Sequence, residues 1–110
     1  MRQFACLTVI VALSAAHPAL ADQSRAARRG LELAQSQCAA CHAVDRLGVS
    51  PNPKSPTFRV IAGIYEEHSL QKKLTEIDET GHYDMPSIRI HSNQIGDLIA
   101  YFTQLSRDPR

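Results

Sequence analysis

Two cysteines and a histidine fall within five residues, Cys38-Ala39-Ala40-Cys41-His42. A C-x-x-C pair serves a redox disulfide, half of a zinc site, or a pair of covalent anchors for a porphyrin. No second pair completes a zinc site, and no parallel-sheet pattern surrounds the motif as a thioredoxin-like disulfide would require. His42, directly after the second cysteine, favours the third chemistry. On a helical turn residues three apart share a face, so the two sulfurs can bond two vinyl groups on one porphyrin edge while the imidazole is presented to the iron.

Porphyrin nitrogens fill four of the six positions on such an iron and His42 a fifth. The sixth is open to Met85, His82, His91, His68, a small ligand or nothing. Met85 leads on chemistry, because its thioether is a neutral soft ligand suited to low-spin iron, and Pro86 stiffens the chain beside it. His82 lies on the same stretch. His91 stands next to a helix start and His68 on a polar helix face, where solvated histidines are the norm.

Helices must position these groups. Ala27, Leu31 and Ala34 recur at helical spacing from Ser24 to Gln37, with Ser24 or Asp22 as cap, so a first helix runs into the motif. Gly30 interrupts it, at a cost of up to about 1 kcal/mol, as expected where another backbone approaches closely. Residues 44–56, rich in Pro, Ser, Asn and Gly, read as an irregular loop over one porphyrin edge. Two short helices follow, one on Phe58, Ile61, Ala62 and Tyr65, the next on Leu70, Leu74 and Ile77 before a capping Gly81. His82 to His91 reads as a loop over the second face. Ile95, Leu98, Ile99, Phe102 and Leu105 then form the stripe of a last helix capped by Ser92, which should cross the first.

Residues 1–21 carry the marks of a cleaved signal peptide: Arg2, an apolar run from Phe4 to Ala16, Pro18, and Ala19 and Ala21 at the A-x-A positions. The run is well short of the roughly 20 residues of a spanning helix. Cys6 sits too early in it for lipid attachment and leaves with it. What remains, residues 22–110, is one small domain, expected to be exported and without stable membrane insertion. The full chain is 44% hydrophobic and 21% charged with no Trp, so the protein is neither disordered nor rich in core, and the porphyrin must help to fill it. A formal net charge of +1 excludes nucleic acid as an expected partner, and the length excludes a multidomain enzyme. Residues 22–65 carry six basic and three acidic groups and residues 66–110 five and eight. Much of that imbalance, Glu66, Glu67, Glu76, Asp78 and Glu79, reads as a solvated helix face or as a dipole that orients docking.

From about Arg25 to Leu105 the chain resembles the class I c-type cytochromes, small soluble monohaem electron carriers. The likeness rests on the attachment motif near the N-terminus, Ser55-Pro56-Thr57-Phe58, Met85-Pro86, and the closing Leu98-Ile99-Ala100-Tyr101-Phe102. The motif's early position sets it apart from the four-helix-bundle cytochromes. The resemblance implies an all-α small cytochrome c fold of three to five helices around one covalent haem c, with Gly30 packed beneath Tyr101 where the terminal helices cross. It implies Cys38 and Cys41 as anchors, His42 and Met85 as axial ligands, and the Pro56 carbonyl as acceptor of the proton on the far nitrogen of His42. Asn52 and Tyr83 are candidates to bond a haem propionate or the ligand loop. The function implied is one-electron transfer between redox partner proteins in the bacterial periplasm, by a monomer that is not an enzyme. A dedicated haem c subunit of a larger dehydrogenase or oxidase would use the same residues, and a haem-based sensor or enzyme would need an open sixth position.

Overall fold

A computed structural model describes residues 18–81 and 88–107. They form four helices, α1 (Pro18–Gln37), α2 (Phe58–Ile64), α3 (Glu67–Thr80) and α4 (Ser92–Arg107), and no strand. The described residues are all-helical, as expected. α4 is the hub, with α1, α2 and α3 each packed against it. Its stripe of Ile95, Leu98, Ile99, Phe102 and Leu105 is buried throughout, as helical spacing requires.

α1 presents Ala27, Gly30 and Ala34 to α4, all buried. A Cβ built on Gly30 would fall on the main-chain carbonyl oxygen of Asp97 and within 3.0 Å of Tyr101 Cβ. The glycine thus lets two backbones touch, and the nearer surface is Asp97 rather than the aromatic ring. Arg29 and Asp97 flank the contact with a two-pronged ion pair, Nε to Oδ2 at 2.9 Å and Nη2 to Oδ1 at 2.7 Å.

Two helix starts differ from the expected ones. α1 begins at Pro18, whose fixed φ suits a first helical turn, and runs through Ala21 and Asp22. Asp22 and Ser24 therefore lie inside the helix, and the Ser24 hydroxyl donates back to the Ala21 carbonyl at 2.9 Å instead of capping. At α4 the capping position belongs to His91, not Ser92. The His91 carbonyl accepts from the Ile95 N–H, and its own N–H donates to Gln94 Oε1 at 2.9 Å, the return half of a capping box. α2 is capped by Thr57, whose Oγ1 accepts from the Val60 N–H. α3 ends as expected at Gly81, with φ 77° and its N–H on the Ile77 carbonyl.

Residues 38–57 are an irregular loop, tied to α4 by the Tyr101 hydroxyl, which donates to the buried Val44 carbonyl at 2.7 Å. Tyr101→Phe leaves the ring in place and orphans that carbonyl, so it costs about 1–3 kcal/mol in urea unfolding. Burial also holds the phenol above its ordinary pKa. An acid kept protonated in the folded state loses stability as pH rises past its unfolded value, about 10 for tyrosine. Parent stability should fall above that pH more steeply than that of Tyr101→Phe, and equal slopes would contradict it.

Candidate functional site

The motif extends the end of α1 by one tight turn. The Cys38 N–H still bonds the Ala34 carbonyl at 2.8 Å, and the N–H groups of Cys41 and His42 both return to the Cys38 carbonyl, at 3.1 and 2.9 Å. This turn leaves His42 buried at 6% exposure and Cys38 and Cys41 half-buried.

Beside them opens a cleft of about 820 Å³, counting its mouth, floored by Cys38, His42 and Pro56. Its walls are Leu70, Leu74 and Ile77 of α3, Ile88 and Ile90 of the segment before α4, and Leu98 and Phe102 of α4 itself. Phe58 stacks on Phe102 with ring centroids 4.6 Å apart and tilts against His42 at 5.7 Å. These walls are apolar, and Lys73, bonded to Glu76 at 3.3 Å, is the one charged side chain among the described lining residues.

His42 Nδ1 lies 2.6 Å from the Pro56 carbonyl oxygen. A carbonyl only accepts, so Nδ1 carries the proton and Nε2 keeps its lone pair for a metal. The neighbouring thiols do not suit the alternatives. Burial pushes the Cys38 thiol up to about 11, the reverse of the lowered value that marks a redox-active C-x-x-C. Both cysteines are free thiols, and no cluster of three metal-ligating side chains exists among the described residues. An apolar slot lined by the Cys38 thiol and a tautomerically fixed imidazole, with Cys41 in the same turn, fits a haem held through thioethers and Nε2.

Of the expected site residues, Cys38, His42 and Pro56 line this cleft, and Cys41 belongs to the same turn without lining it. Met85, His82 and Tyr83 lie outside the described residues. His68 and His91 are exposed and do not line the cleft. Asn52 Oδ1 accepts from the Lys54 N–H at 3.0 Å within its own loop. The acidic group on α3 is not one solvated face, since the Asp78 carboxylate accepts from the Ile90 N–H at 2.9 Å and holds the segment before α4 against the helix. The sequence reading passed over Ser50, buried at 8% exposure, whose hydroxyl accepts from the Ala43 N–H at 3.0 Å. No periodicity could flag it, because it stands in an irregular loop. Ile88 and Ile90 were legible in principle, as an apolar pair alternating about Arg89.

The family model described as Cytochrome c matches residues 27–106. No curated protein and no solved structure matches the chain.

Proposed function

Because the chain belongs to the cytochrome c family, whose members bind haem c covalently, we propose that it carries one electron on a single haem ligated by His42 and Met85. When bound, the haem supplies the redox couple, its iron alternating between ferric and ferrous. The chain's residues do the rest. Cys38 and Cys41 hold the macrocycle by thioethers, His42 binds the iron through Nε2, and the Pro56 carbonyl fixes the imidazole and raises its basicity. The apolar walls exclude water and so limit the reorganisation that accompanies each electron. The observation that carries this reading is the 2.6 Å contact of His42 Nδ1 with Pro56 beside Cys38 in an apolar cleft.

Members of the family are typically electron carriers, and those of bacteria are typically periplasmic or extracellular. No described helix is long and apolar enough to cross a membrane. With the signal-like residues 1–21, these points support a periplasmic carrier that transforms no substrate and meets its redox partners by transient docking.

Met85→Ala tests the sixth ligand. Neither the thioethers nor His42 depends on Met85, so the variant keeps its covalent haem and its helicity. It loses the weak long-wavelength band of methionine-ligated ferric haem, its reduction potential falls, and its ferrous form binds carbon monoxide readily where the parent binds it poorly. If instead Met85→Ala is spectrally silent and His82→Ala opens the iron, His82 is the ligand. A parent that already binds carbon monoxide readily is a sensor or enzyme.

One feature favours the subunit reading as a second possibility. Leu47 and Val49, 78% and 89% exposed, flank Gly48, whose φ of 129° only glycine adopts freely, on the loop just after the motif. A subunit would co-purify from native membranes or extracts with a dehydrogenase or oxidase in fixed ratio, and a free carrier would elute alone.

A further inference from the structure

We propose that Ser50 is a positioning residue for the proximal imidazole. The inference rests on His42 being the iron ligand and assigns the group that holds it in register with its acceptor.

His42 and Pro56 sit on two segments of one loop, and their hydrogen bond survives only while those segments keep a fixed separation. Three other bonds set that separation. The Asn52 N–H donates to the Cys41 carbonyl at 3.2 Å, the Phe58 N–H to the Ala43 carbonyl at 2.9 Å, and the Ala43 N–H to Ser50 Oγ at 3.0 Å. Residues 41–43 are thus laid along residues 50–58, and Ala43, next to the ligand, has both backbone groups engaged. Ser50 supplies the one side chain among these three links. It is buried, and removing its oxygen leaves the Ala43 N–H without its acceptor, which drives residue 43 to turn toward water. Rotation at residue 43 carries the His42 backbone with it and pulls Nδ1 off the Pro56 carbonyl, which lowers the basicity of the imidazole.

The test uses the purified ferrous holoprotein and follows solvent exchange of two protons by nuclear magnetic resonance, the His42 Nδ1–H and the Ala43 amide. In the parent the two should exchange with the same protection, since one local opening exposes both. Ser50→Ala should speed both by about tenfold or more, the factor implied by loss of one buried hydrogen bond. Ser50→Thr and Ser50→Val share a shape and differ by the hydroxyl, so Thr should keep the slow exchange and Val should lose it. Leu105→Ala, in the core but outside the cleft lining, lowers stability without touching the link and should leave the His42 proton slow relative to global unfolding. Unequal protection in the parent, equal behaviour of the Thr and Val variants, or acceleration no greater than stability loss explains would each overturn the proposal. A parent whose His42 ring signals lack the displacement of an imidazole over a porphyrin overturns the ligand assignment instead.

Discussion

A chain with both Cys38 and Cys41 changed to alanine should show no cooperative thermal transition and no haem staining after export. The family match spans residues 27–106, near the size at which burial alone ceases to stabilise a fold. Leu98, at 1% exposure, is the largest side chain sealed from solvent. Leu70, Leu74, Ile88, Ile90 and Phe102 line the cleft, so a macrocycle bound there would add apolar contacts to this part of the core. Binding that reaches only the folded state adds its own free energy to stability, and the double variant removes that contribution. Circular dichroism against temperature on the double variant decides the point: a sigmoidal melt would show that the helices close without haem.

Gly30→Val should destabilise the holoprotein by about 3 kcal/mol or more, at the upper end of overpacked sites. The reason is the nature of the obstacle. A side chain could swing aside, but the Asp97 main-chain carbonyl moves only with α4. Asp97→Ala separates this effect from the ion pair beside it. The Arg29 side chain is 54% exposed, so solvent screens the pair and its loss should cost far less than the valine substitution. Urea unfolding of both variants against the parent measures the two terms. A valine variant within about 0.5 kcal/mol of the parent would refute the close approach.

How much of this was legible in the sequence depended on whether a signal was periodic or singular. The stripe from Ile95 to Leu105 and the face of Ala27, Gly30 and Ala34 repeat, so both long helices and their crossing could be read. The attachment motif is five consecutive residues of unusual chemistry and needs no fold to be recognised. Helix starts are decided by single hydrogen bonds and were misread. Ser92 is a better capping residue than His91 by propensity, but Gln94 reaches back to the His91 N–H and shifts the start by one residue. Pro18 reads as part of the signal-like segment, though a proline ring is well suited to the first turn of a helix. Contacts made by the loop left no trace at all: nothing in the spacing links Tyr101 to Val44 or Ser50 to Ala43, since irregular segments have no period from which a partner can be inferred.

The crossing of α1 and α4 also sets an order in time. It joins Arg29 to Asp97, 68 positions apart, so the apolar face of α1 has no native partner until residues 92–107 have been made. Cys38 and His42 emerge well before Leu98 and Phe102, which complete the wall above them. At about 5–20 residues per second the interval lasts several seconds, during which both thiols and the imidazole remain reachable from outside. With no haem for the last helix to close on, attachment rather than the arrival of that helix shuts the site.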